Sequence, residues 1–131
     1  MNPSKIKRGV VVDTNILIAY LLGDTTVIET LSVWKLSGRA LLVSPIIRAE
    51  ILSHSDLSND DIEAAKDLLS NFVSINFNDQ LAEYAGELRR KYRINLPDAA
   101  IAATAIFTRT ALVTRNERDF KKIVELQIIT I

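Results

Sequence analysis

The chain predicts an α/β fold, a three-layer α/β/α sandwich with helices on both faces of a central parallel five-stranded sheet. Three observations point there. Short strand-like runs alternate with helical patterns along the 131 residues, the arrangement that gives parallel sheets with helical crossovers. Three of the runs, 10–12, 41–43 and 111–113, are continuously apolar, as strands buried on both faces must be. The run at 72–77 alternates apolar and polar and suits an edge, and the last run, 127–131, suits the other edge. The strand order 3-2-1-4-5 meets these conditions with right-handed crossovers, and its switch point falls between strands 1 and 4.

Each element has its own local signal. Val10, Val11 and Val12 make the first strand, and a first helix over 16–22 ends at Gly23. A second helix begins near Thr26, with Val27, Leu31 and Trp34 on one face and Gly38 placed to terminate it. After the strand at 41–43, Ser44 and Pro45 form an N-cap and first-turn pair for a third helix reaching about His54. Ser58 and Asp61 read as a capping box for a fourth helix, to about Leu69. In 72–77, Val73, Ile75 and Phe77 alternate with Ser74 and Asn76. Asn78 then caps a fifth helix striped by Leu81, Tyr84, Ala85, Leu88 and Tyr92. A sixth helix starts near Pro97 and runs through Ala-rich sequence to about Arg109. The strand at 111–113, a short helix over 119–124 and the strand at 127–131 complete the pattern.

The length is that of one ordinary domain, residues 1–131, and no composition shift marks a linker. With 48% hydrophobic and 24% charged residues the chain can build a core. Sixteen basic and sixteen acidic side chains cancel, which excludes a globally basic nucleic-acid binder but not a local basic patch. The absence of cysteine excludes disulfides and thiolate metal sites and is compatible with a reducing cytosol. Lys5, Lys7 and Arg8 imitate the start of a secretory signal, but Asp13 and Asn15 interrupt the apolar region that should follow. No uninterrupted apolar run approaches the ~20 residues of a membrane span. The expectation is a cytoplasmic protein without membrane association.

Against that background the acids stand out. Asp13 lies at the end of the first strand, on the lip of the switch-point crevice, where an uncompensated carboxylate is costly. Glu50 falls on the stripe Ile47, Glu50, Ile51, His54, where an apolar residue is expected; the plain alternative is an exposed helix glutamate. Asp98 follows Pro97 in the first turn of an otherwise apolar helix, where complementing the macrodipole would by itself explain it. The loop after strand 4 offers Thr114, Asn116, Glu117 and Asp119, although Asn and Asp are ordinary loop residues. His54, near a helix end, reads as structural. Trp34 reads as core or interface rather than as a base-stacking platform.

Taken together, VVVDTNILI, SPIIRAEIL, LPDAAIAATA and LVTRNERDF resemble the PIN-domain ribonucleases, in order and spacing, from residue 10 to about 120. The compact length is similar to the VapC-type toxins of toxin–antitoxin pairs. One departure is Asn116, where many relatives carry an acid; Asp119 is the nearby carboxylate able to take over. The resemblance implies a ribonuclease dependent on Mg2+ or Mn2+, with Asp13 and Asp98 as main ligands and Glu50 as ligand or water-orienting group. Asn116 or Asp119 would complete the shell. Hard divalent cations on carboxylate oxygens suit phosphodiester hydrolysis, which accounts for acids without cysteine in these motifs. Thr14 and Asn15 would cap the following turn and orient the acids, with Thr114 doing similarly across the crevice. RNA contact would come from Arg89, Arg90, Lys91 and Arg93, unless these merely decorate a helix C-terminus, and from Arg115 and Arg118 beside the fourth motif. The resemblance further implies structured RNA such as tRNA or rRNA as target, a cognate antitoxin protein and a homodimer. Trp34 and the 26–37 helix face are candidate surfaces for those partners.

Three other readings compete. A haloacid-dehalogenase-like phosphatase needs a second acid two residues after Asp13, where Asn15 stands. A receiver domain needs paired acids, which are lacking. A catalytically silent PIN-like module for RNA or protein interaction gains some weight from Asn116, but has no obvious reason to retain Asp13, Glu50 and Asp98.

Overall fold

A computed structural model describes residues 9–131; the basic start with Lys5, Lys7 and Arg8 lies outside the described residues. The elements run β1 (Val10–Val12), α1 (Thr14–Leu21), α2 (Thr25–Leu36), β2 (Leu41–Val43), α3 (Pro45–Leu52), α4 (Asn59–Leu69), β3 (Val73–Ser74), α5 (Asp79–Tyr92), α6 (Leu96–Phe107), β4 (Ala111–Val113), α7 (Glu117–Phe120) and β5 (Ile128–Ile129). The five strands form one sheet in the order β3-β2-β1-β4-β5, as the sequence predicts, and every pairing is parallel. Val10 pairs with Leu41 on one side and Ala111 on the other, so the most apolar strands occupy the middle.

Burial follows the sequence pattern. β1, β2 and β4 are buried at every position. In α6, all seven residues from Ala99 to Ala105 are buried, because the helix packs against α5, α3 and the strands β1 and β4. A helix enclosed on all sides must be apolar around its circumference, and alanine permits the close approach. Ile16, Leu17, Ile47, Leu69, Ile101, Leu112 and Phe120 are the large side chains fully enclosed by these layers, each contributing about 1.5–3 kcal/mol of transfer free energy.

The boundaries differ from expectation in instructive places. α1 starts at Thr14 rather than 16, because Asp13 is itself the N-cap, its Oδ1 accepting the Thr14 N–H at 2.8 Å. Thr14 and Asn15 therefore belong to the first turn and do not cap it. The strand expected over 72–77 shrinks to two residues, with Val73 54% exposed while Phe72 is buried. The last β2–β3 link is Ile75 N–H to the Val43 carbonyl at 2.9 Å; beyond it the chain leaves the sheet, so Ile75 and Phe77 reach the core from the loop. The last strand and the short helix are likewise shorter than expected, at Ile128–Ile129 and Glu117–Phe120.

Trp34 is half-buried beneath the Arg39 guanidinium, 5.1 Å from the ring centroid. On the same helix Val33 and Leu36 are exposed. Among the described residues no single helix is long and apolar enough to cross a membrane; α1 and α2 reach that length only together, across a bend of 110°.

Candidate active site

The parallel order places the ends of β1 and β4 side by side, and the residues immediately beyond them, Asp13 and Thr114, meet. Their backbones are still in the ladder: the Asp13 N–H donates to the Val113 carbonyl at 2.9 Å and the Thr114 N–H to that of Ile129 at 3.0 Å. Asp13 is only 5% exposed and Thr114 is fully enclosed. Thr114 Oγ1 donates to Asp13 Oδ2 at 2.8 Å and accepts from Asn15 Nδ2 at 3.2 Å and the Asn116 N–H at 2.9 Å. A hydroxyl has one donor and two acceptor sites, so this one is saturated and its orientation is fixed. Asn15 Nδ2 also reaches Asp13 Oδ2 at 3.2 Å. The Arg115 N–H donates to Asn15 Oδ1 at 3.1 Å, which sets the amide's sense.

Glu50 joins through Thr14. The Thr14 N–H serves Asp13, while its Oγ1 donates to Glu50 Oε1 at 2.9 Å, so one residue spans two acids from α1 and α3. Glu50 is half-buried rather than freely exposed. Asp98 stands in the first turn of α6, held by Asn95, the N-cap, on two sides. Asn95 Oδ1 accepts the Asp98 N–H at 2.8 Å, and Asn95 Nδ2 donates to Asp98 Oδ2 at 3.0 Å. On α7, Asn116 Nδ2 donates to Asp119 Oδ2 at 2.8 Å. The two candidates of the fourth motif are thus bonded to each other.

Electrostatics tie these groups together. Burial pushes the Asp13 carboxyl above its usual range and the charge of Glu50 adds to this, against the hydrogen bonds from Thr114, Thr14 and Asn15. Asp98 is raised by burial and by the charges of Asp13 and Asp119, against the Asn95 bond. Four acids from four helices and strand ends therefore feel one another. The donors to their carboxylates are neutral hydroxyls, amides and backbone N–H groups; among the described residues no lysine or arginine pairs with any of the four.

An oxygen-only, negatively charged donor set without a protein counter-cation is of the type that hard divalent cations prefer. Among the described residues no three acids or histidines converge tightly enough to enclose an ion. Magnesium does not require that, since it keeps several waters and takes one or two carboxylates, with phosphate oxygens filling the rest. The donor set fits an ion held by a pair of these acids, Asp13 with Glu50 or with Asp98.

Arg115, expected beside RNA, also bonds within the protein. Its Nη2 donates to Asp24 Oδ2 and its Nε to the Ile131 main-chain oxygen, both at 2.8 Å, which engages two of the five guanidinium donors on this exposed residue. That bond holds the Asp24 carboxyl below its ordinary range. Arg118 is exposed on α7. Arg89, Arg90 and Arg93 line a groove with Gly86 and Ile94 at the end of α5, just before Asn95 and Asp98. Lys91 turns instead to Glu125, at 3.4 Å. His54 lies outside the acid cluster, on an apolar groove with Ile18, Leu22, Ile51 and Leu57.

Two residues of this network escape the sequence reading. Asn95 carries a readable signal, a good N-cap with proline just inside the helix. Asp24 has no local signal for its pairing with Arg115.

These features define a PIN-like α/β domain with an acidic centre at its switch point. The model of the PIN domain matches residues 10–126, and the chain belongs to the PIN-domain family. It is 31% identical to Ribonuclease VapC1 of Rickettsia felis, over 94% of this chain and 96% of that protein. It is 29% identical to Ribonuclease VapC19 of Mycobacterium tuberculosis, over 88% and 95%. Among solved structures it is similar to one described as a toxin–antitoxin complex from Klebsiella pneumoniae, with 32% identity, a TM-score of 0.79 and coverage of 93% and 97%.

Proposed function

We propose that this chain is a Mg2+- or Mn2+-dependent ribonuclease that hydrolyses RNA phosphodiester bonds, acting in the cytoplasm as the toxin of a toxin–antitoxin pair. The observation that carries the reading is that Asp13, Glu50, Asp98 and Asp119 lie close enough to feel one another's charge, with only neutral donors bonded to them among the described residues, in a PIN-domain chain similar to proteins named ribonucleases. The likeness to a toxin–antitoxin complex supports an antitoxin partner.

In this reading Asp13 and Asp98 are the pair of ligands, and Glu50 is the group that orients the attacking water. A bound divalent cation would supply a water of lowered pKa and charge stabilisation at the phosphoryl oxygens. The chain's own groups do the rest. Thr114 and Asn15 keep Asp13 aimed along one direction, Thr14 couples Glu50 to it, and Asn116 holds Asp119 towards Asp98. Arg89, Arg90, Arg93 and Arg118 supply local positive charge for the RNA backbone despite zero net charge. Arg115 is instead a brace that keeps the fourth motif in place.

The test is to incubate the purified chain with tRNA and rRNA, mapping new RNA ends with Mg2+, with Mn2+ and with chelator. Specific ends should appear only with a divalent cation, and Asp13→Ala should lower their yield by more than the ~100-fold typical of losing a supporting residue. Manganese protection against thermal unfolding without any cleavage of the panel would favour the silent-module reading.

A further inference from the structure

Asp98 is the one acid of the crevice whose carboxylate and backbone are both held by a single side chain. The Asn95 amide is used from both ends: Oδ1 takes the Asp98 N–H at 2.8 Å and Nδ2 gives a hydrogen bond to Asp98 Oδ2 at 3.0 Å. The first contact is an ordinary N-cap bond and by itself only starts the helix. The second is not required for capping, which needs an acceptor alone. It fixes the carboxylate's rotation about its last bond, a torsion that is otherwise broad. It also claims one oxygen, while Asp98 Oδ1 has no hydrogen-bond partner among the described residues and remains available to a ligand. The backbone before Asn95 is set as firmly, since Arg93 closes α5 in the left-handed conformation at φ 55° and Ile94 is buried.

We infer that Asn95 is a positioning residue of the cation site, its amide N–H holding Asp98 so that the free oxygen faces the crevice shared with Asp13 and Asp119. This rests on the reading of Asp98 as a ligand. The capping and positioning roles use different atoms of one side chain, so substitution can separate them. Serine at this position retains a cap acceptor and removes the amide donor; alanine removes both.

The experiment is a titration of the RNA-free protein with Mn2+, reading the concentration that gives half-maximal thermal protection for wild type, Asn95→Ser, Asn95→Ala and Asp98→Asn. Without metal, Asn95→Ser should unfold close to the wild-type temperature and Asn95→Ala lower. With Mn2+, Asn95→Ser should need about 10–100-fold more metal, the usual effect of losing a group that orients a ligand. In cleavage assays the same variant should lose kcat with KM for RNA little changed. Wild-type Mn2+ response in Asn95→Ser, with a weakened response in Asp98→Asn, would overturn the positioning role alone. An undiminished response in Asp98→Asn would overturn the ligand reading and the inference with it.

Discussion

Burial and the charges of Asp13 and Asp119 push the Asp98 carboxyl up, while the Asn95 amide pulls it down, and the upward influences win. Asp13 is raised as well, first by burial. A carboxyl whose folded pKa lies above its ordinary 3.8 contributes stability below that value and loses it as pH rises through the folded-state titration. Without metal, raising the pH through these titrations therefore costs stability. Asp98→Asn keeps an oxygen for the Asn95 amide and puts a donor towards the remaining acids. In chelator at neutral pH it should be about 0.5–2 kcal/mol more stable than wild type, the usual gain from relieving a functional site. The gain should shrink as pH falls into the carboxylate range, because wild-type Asp98 then takes up its proton. Equal thermal stability of the two proteins at neutral pH would show that no such strain exists. The acids themselves are legible in the sequence, since a strand end, an apolar stripe and a helix first turn each make a carboxylate conspicuous. The Asp24–Arg115 pair is not, because 91 residues separate the partners and neither position is unusual alone.

The helices owe their boundaries to short-range chemistry, which is why most were readable. The Ser58–Asp61 capping box, the Ser44 and Asn78 caps and the Gly23 and Gly38 stops all appear as the sequence predicts. Three helix ends share one hydrogen-bond pair. In α1, Gly23 and Asp24 donate to the Tyr20 and Ala19 carbonyls; in α2, Gly38 and Arg39 to those of Lys35 and Trp34. In α6, Arg109 and Thr110 donate to Ile106 and Ala105, completing the same motif with a non-glycine residue at φ 56°. The left-handed conformation costs an L-residue about 1–2 kcal/mol, partly offset in Arg109→Gly by the greater entropy of an unfolded glycine. Arg109→Gly should raise the unfolding free energy by about 0.5–1 kcal/mol, read as a higher urea midpoint at unchanged m-value. A lowered midpoint would mean that the arginine side chain contributes more than its backbone costs. β3 was not legible because alternation does not fix register: Val73 takes the outward position once Phe72 fills the inward one.

At the scale of the whole molecule, the parallel order 3-2-1-4-5 does two things with one topology. It brings Asp13 and Thr114 together from positions 101 residues apart, and α3 and α6 each carry an acid whose charge reaches Asp13 or is reached by it. The order was readable because three strands are apolar on both faces and two are not. Among the described residues no lysine or arginine pairs with the four acids, and Arg115, which follows Thr114, bonds to Asp24 and Ile131. If the chain cleaves RNA as proposed, phosphate contacts fall to cations outside the acid cluster, and Arg89, Arg90 and Arg93 line a groove at the end of α5, which precedes Asp98 in the chain. A protein of zero net charge has no long-range field to draw RNA in, so binding should depend on these few contacts and carry their ionic signature. Each neutralised phosphate on a single strand contributes a slope of about 0.7 to the fall of log affinity with log salt. Replacing all three arginines with glutamine should therefore flatten the slope by about 2 and weaken RNA binding at low salt, while Mn2+ protection of the RNA-free protein stays at its wild-type midpoint. A slope that does not change would move the RNA to another face, with exposed Arg118 as the next cation to replace, and would leave the α5 arginines as complements to their helix dipole.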